Sequence, residues 1–102
     1  MNKYTLYVGL NDRKAKVQLI STLEAYKMIN NVLLQYVDGA TIYEAHGIYK
    51  HDDGTFTTEN TLRIELLFVE RETVKTIVET LKQMLNQEKI AVQHEVVESE
   101  LW

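Results

Sequence analysis

No cysteine occurs in the 102 residues, which removes disulfides, thiolate nucleophiles and cysteine-based zinc sites together. That suits a reducing compartment. Proline is absent as well, so four glycines carry most of the punctuation of the chain. There is no low-complexity stretch and no repeat at a solenoid period. No apolar run approaches the ~20 residues that cross a bilayer, and the opening MNKYTLYVGLNDRK lacks the apolar core of a secretion leader. The expectation is a cytoplasmic protein with no membrane partner. Positive charge is also scarce. Lys and Arg number 11 against 15 Asp and Glu, giving a net charge of −4 and a pI near 5.3. The only basic cluster is Arg13, Lys14 and Lys16. Without a basic stripe, nucleic acid is not an expected partner, and an anionic membrane surface is disfavoured for the same reason.

What is present is ordinary for a folded domain. Apolar residues make up 45% of the chain and charged residues 25%. The length predicts one domain over 1–102 that hides roughly two-thirds of its unfolded surface. From Lys3 to Leu10, Tyr4, Leu6, Val8 and Leu10 alternate with Thr5, Tyr7 and Gly9, which is the period of a half-buried strand. Asn11 to Lys16 reads as a loop. Ser21-Thr22-Leu23-Glu24 reads as a capping box that opens a helix, and Ala25, Ile29, Val32, Leu33 and Tyr36 follow at helical spacing. Asp38-Gly39 is expected to end it, with Gly39 in the left-handed position past the last turn.

A second strand is predicted from about Ala40 to Lys50 and a third from about Thr55 to Val69, joined at Asp52-Asp53-Gly54, where Asp-Gly tolerates the positive φ of a tight turn. In the third, Leu62, Ile64, Leu66 and Phe68 alternate with Thr61, Arg63, Glu65 and Leu67. Val74, Ile77, Val78, Leu81 and Leu85 mark a second helix, and Ile90 to Val97 a fourth strand. Met28 and Met84, like the aliphatics beside them, read as core. The order β-α-β-β-α-β predicts an α+β, ferredoxin-like domain: a four-stranded antiparallel sheet with two helices on one face.

The other face is then open, and the turn at Asp53 says what lies on it. Ile42, Ile48, Leu62 and Ile64 should share the helix-covered side with Tyr4, Leu6 and Val8. Tyr43, Tyr49, Glu59, Thr61, Arg63 and Glu65 should share the open side with Tyr7, and with Gln93, Glu95 and Val97 from the last strand. A one-residue slip would exchange every hairpin assignment. Tyrosine and arginine are favoured where a surface meets a partner, so Tyr7, Tyr43, Tyr49, Arg63 and Glu65 are the candidate interface. A solvated face with cross-strand pairs and a small-ligand site are the competing readings. Trp102 completes the set. A terminal aromatic is costly to leave in water, and burial against this domain or a neighbouring subunit would recover ~1.5–3 kcal/mol.

Other constellations point to no chemistry. His51-Asp52-Asp53 is a turn whose neighbours rarely converge on one ion. His46 and His94 lie on different strands, and Glu44 and His46 fall on the helix side near the outer edge of the hairpin. The glycines are too dispersed for a phosphate loop, and Ser21, Asp38 and His46 lack a nucleophile elbow. No catalytic residue, metal or cofactor is assigned.

The segment Gly39-Ala40-Thr41-Ile42-Tyr43-Glu44-Ala45-His46-Gly47, with Glu59 and the strand Leu62 to Val69, resembles the middle of CutA and its PII-like relatives. That resemblance implies a ferredoxin-like fold, a trimer, and metals or small anionic ligands held in clefts between subunits. The metal-linked cysteine of CutA and the long exposed loop of PII have no counterpart here. The chain also resembles small proteins of phages and mobile elements of low-GC bacteria, some of which bind and block host defence proteins; an acidic surface would suit a basic target. The leading expectation is a non-catalytic homo-oligomeric binding or regulatory module. An inhibitor of a host protein and a small dimeric ferredoxin-like enzyme are the alternatives.

Overall fold

A computed structural model describes all of residues 1–102. The strands are β1 (Asn2–Gly9), β2 (Thr41–Lys50), β3 (Phe56–Leu67) and β4 (Ala91–Val96), and the helices are α1 (Thr22–Tyr36) and α2 (Arg71–Met84). The sheet order is β2-β3-β1-β4, antiparallel throughout. This is the ferredoxin-like arrangement the element order predicts. β1 is central because both of its faces have work: Tyr4, Leu6 and Val8 are buried under the helices, while Thr5 and Tyr7 point to the open side. The helix side of the sheet closes with Leu62, Ile64 and Leu66 over Ala25, Ile29, Val32 and Leu33 of α1 and Val74, Ile77 and Leu81 of α2. Leu6, Ile64 and Ile77 have no exposed surface, and truncating any of them to alanine is expected to cost about 2–5 kcal/mol.

The turn pins the register. Gly54 takes φ +88°, its N–H donates to the His51 carbonyl, and Asp53 Oδ1 accepts from both the backbone and hydroxyl of Thr55. Tyr43 therefore stands opposite Arg63, and Ile42 opposite Ile64, as the sequence predicts. Ser21 caps α1 by accepting from the Glu24 N–H at 3.1 Å. The other half of the box does not form, since Glu24 turns towards Lys27 at 3.9 Å.

Four expectations are corrected. Gly39 is not left-handed: α1 ends at Val37, which leaves in extended conformation with its N–H on the Leu33 carbonyl. Tyr36 and Met84 are 40% and 37% exposed rather than core: at the last residue of each helix the core position falls to the next residue, Leu85 being buried and Val37 packed against the core. Phe68 leaves the strand pattern with φ +60° and is largely exposed. Ile48 is on the helix side in register but 71% exposed, because β1 pairs with β3 only from Thr61 onward. Beyond that point β2 and β3 continue alone as a two-stranded arm ending at His51–Thr55, and the molecule measures 49 × 25 × 22 Å. His46, opposite Asn60 at the root of the arm, is exposed for the same reason, and Glu44, opposite Leu62, is exposed on the edge strand β2.

Candidate functional site

Direct cross-strand pairing puts Tyr43, Arg63 and Tyr7 in one row across β2, β3 and β1. The Arg63 guanidinium lies 5.5 Å from the Tyr43 ring centre and 5.7 Å from that of Tyr7, within cation–π range of both. Its Nε is the single buried side-chain polar atom with no hydrogen-bond partner, so the ring faces and Glu65 balance its charge. Glu65 is the hub. Its carboxylate accepts from Lys3 Nζ at 2.8 Å, from the Tyr43 hydroxyl at 2.8 Å and from Arg63 at 3.3 Å. The Lys3 bond, then the Tyr43 bond, hold the Glu65 pKa below the usual carboxylate range. The same bonds raise Lys3 and Tyr43 above their ordinary values. Tyr7 also donates to Gln93 on β4 at 3.0 Å, so the cluster is fixed from both sides.

A second node lies one strand-turn away. The Glu59 carboxylate accepts from the Asn11 N–H at 2.9 Å and the Tyr49 hydroxyl at 3.2 Å. It rests on Gly9, where a Cβ would overlap it. Partial burial and the nearby Glu59 charge raise the Tyr49 pKa. Of the six predicted interface residues, Tyr7, Tyr43, Arg63 and Glu65 thus meet in one cluster, Tyr49 belongs to the neighbouring node, and Trp102 stands apart. Trp102 and Leu101 are not buried against the domain: they are 108% and 89% exposed, and Leu101 only borders the cleft described below.

Sequence reasoning missed Lys3 and Gly9. Lys3 shares the open-side parity of Thr5 and Tyr7, which was signal enough. The role of Gly9 depends on how Glu59 folds over the sheet, which parity does not encode.

Lys3 and Glu65 also form part of the floor of a cleft of about 770 Å3 at the end of the sheet where β1 begins. Its walls are the Tyr36–Thr41 turn, Leu67–Glu70 with the exposed Phe68, and Val97, Ser99 and Leu101 of the tail. Val97 holds the tail there by exchanging two backbone bonds with Met1. Nothing in the cleft is arranged as a nucleophile with a base. The histidines are dispersed: His94 stacks on Tyr4 at 4.8 Å and binds Asn2, His51 binds Thr57, and His46 is exposed on the arm. No three His, Cys, Asp or Glu side chains converge as a metal site would need. No helix is long and apolar enough to cross a membrane.

No protein-family model and no curated protein matches the sequence. Solved structures do match in three dimensions. A phage SAM lyase in complex with S-methyl-5'-thioadenosine superposes with TM-score 0.64 at 19% identity, covering 92% of this chain and 79% of that one. The periplasmic divalent cation tolerance protein CutA from Archaeoglobus fulgidus gives 0.62 at 15%, covering 99% and 88%. The B. subtilis GlnK–ATP complex gives 0.56 at 13%, covering 92% and 82%. At these identities the likeness is one of fold: the chain shares with these proteins the four-stranded ferredoxin-like arrangement.

Proposed function

We propose that the chain is a non-catalytic homo-oligomeric binding module that assembles through its open sheet face and the β2–β3 arm. The arm is the observation that carries this reading. Two strands without a third are marginally stable in water, yet this pair exposes Ile48, Tyr49 and Phe56 at 71%, 54% and 67%. A neighbouring subunit would cover them and the adjoining Tyr43 and Arg63. The preordered Tyr7–Arg63–Tyr43 row suits such a contact, because little side-chain freedom is left to lose on association. The resemblance to CutA and PII-like proteins, which implies a trimer, agrees.

Light scattering of the full chain at micromolar concentration tests this. The expected mass is an integer multiple of 11.9 kDa, and Tyr43→Glu is expected to dissociate the assembly while helical circular dichroism stays unchanged. A monomer in the wild type overturns the proposal.

One observation favours a second reading, in which the module holds a small molecule. The end cleft lies within the ~300–1,000 Å3 range of ligand pockets, and its lining brings Tyr36 and Phe68 together with the Lys3–Glu65 pair. S-methyl-5'-thioadenosine, found in the phage lyase of the same fold, and ATP, found in GlnK, are the first ligands to try. A rise in melting temperature with either at millimolar concentration supports the reading, and no shift with both removes it.

A further inference from the structure

The loop Asn11–Ile20 is built to hold its cations outward. Asp12 Oδ2 accepts from the Lys14 and Ala15 N–H groups, and its other oxygen accepts from Asn86 at 2.7 Å. The Asp12 N–H donates to the Val17 carbonyl and the Lys16 N–H to the Asp12 carbonyl. Lys16 is held at φ +63°, a conformation a lysine keeps only when its surroundings dictate it. None of the five ion pairs in the molecule uses Arg13, Lys14 or Lys16. Beside these cations, Val17 and Leu19 are 56% and 65% exposed. Behind Leu19, a notch of about 110 Å3 opens among Leu10, Ile20, Met84 and Leu85; at ~30 Å3 per water-sized atom, that is room for one leucine side chain.

The tail has the opposite character. Glu98 and Glu100 make no ion pair, and Leu101 and Trp102 are the two most exposed apolar residues in the molecule. The two surfaces cannot meet within one chain. The tail leaves beside Met1 and the loop follows Gly9. They are separated by the length of β1, about 26 Å for eight residues, whereas the five residues after Val97 reach at most ~17 Å, and they point away from the loop.

We infer that the acidic tail Glu98–Trp102 of one copy docks on the basic loop Arg13–Leu19 of the next, its carboxylates on Arg13, Lys14 and Lys16 and its Leu101 in the notch. The contact is head-to-tail, so the same contact repeats from copy to copy, in a ring where the rotation closes and in a filament where it does not. It rests on the homo-oligomer proposed above, and it places Trp102, which finds no surface on its own domain.

Trp102 is the sole tryptophan, so its fluorescence reads this contact separately from mass. The full chain at micromolar concentration and low salt is expected to give an oligomer with blue-shifted, iodide-shielded emission. Reversing the loop charges (Arg13→Glu with Lys14→Glu) or the tail charges (Glu98→Lys with Glu100→Lys) should expose Trp102 and weaken its protection more than about tenfold, as like charges then face each other. Combining all four reversals should restore the protection, a rescue that merely impaired folding cannot give. A wild-type oligomer whose Trp102 is fully quenched overturns the tail contact and leaves the oligomer standing. A wild-type monomer overturns both. A buried Trp102 indifferent to the loop reversals overturns the loop as its receptor.

Discussion

Glu65 holds three partners on one carboxylate, and its substitution reads the whole cluster. Its side chain is 16% exposed, between a surface pair and a buried one, so Glu65→Gln is expected to cost about 1 kcal/mol, or roughly 5 °C in Tm at pH 7. The sign with pH follows from the lowered pKa. The folded state binds this proton less readily than the unfolded one, so the stabilisation is present above the ordinary glutamate value of 4.5 and is lost as pH falls through the lower folded value. Melts of both proteins at pH 7 and at successively lower pH should therefore differ at pH 7, with the gap narrowing as pH falls below 4.5. Equal Tm values at pH 7 would show that the hub contributes nothing. At the second node, Gly9→Ala must displace the Glu59 carboxylate from Asn11 and Tyr49. That is expected to cost about 1–2 kcal/mol. In a Glu59→Ala background the same change should be neutral or stabilising by about 0.5 kcal/mol, since alanine otherwise suits a strand better than glycine. Urea unfolding of the four proteins of this cycle measures the coupling.

Among the elements, α1 gives a simple test. Ser21→Ala removes the acceptor of the Glu24 N–H and is expected to lower stability by about 1 kcal/mol. The arm gives a sharper one. Ile48→Lys with Phe56→Lys alters exposed positions that the core does not use, so helical circular dichroism should persist while the solution mass falls. An unchanged mass would exclude the arm from assembly. These elements also show what the sequence made legible. Asp53 and Gly54 pinned the hairpin, so the pairing of Tyr43 with Arg63 and the open-face set could be read from parity alone. Where the helices stop covering the sheet could not, because that depends on strand length beyond the last β1 pair, and Ile48 has the same parity inside or outside the core. Gly39 carried a helix-end signature, yet Val37 had already turned the chain extended by a route open to any residue. The cleft joins four segments distant in sequence, and nothing local announces it.

For the molecule as a whole, charge decides between classes of partner. Non-specific affinity for nucleic acid comes from neutralising phosphates with Lys and Arg, at a salt-dependent gain for each contact made. Here six of the eleven basic residues stand outside ion pairs, and only Arg13, Lys14 and Lys16 cluster. The open sheet face, the surface on which a sheet would stack bases, places Glu59, Glu65 and Glu95 around its tyrosines, and its one arginine is already engaged by two rings and a carboxylate. Each copy adds a further −4, so assembly raises the repulsion of a polyanion instead of building a basic channel. If the tail covers the basic loop in the oligomer, the last cationic patch is also withdrawn. A gel shift with duplex DNA and with single-stranded RNA at physiological salt is expected to show no binding at tens of micromolar protein. Tail deletion after Val97 uncovers the loop and is the variant most expected to gain weak, salt-sensitive retention. Micromolar binding by the intact chain would overturn this reading of the open face as a protein-facing surface.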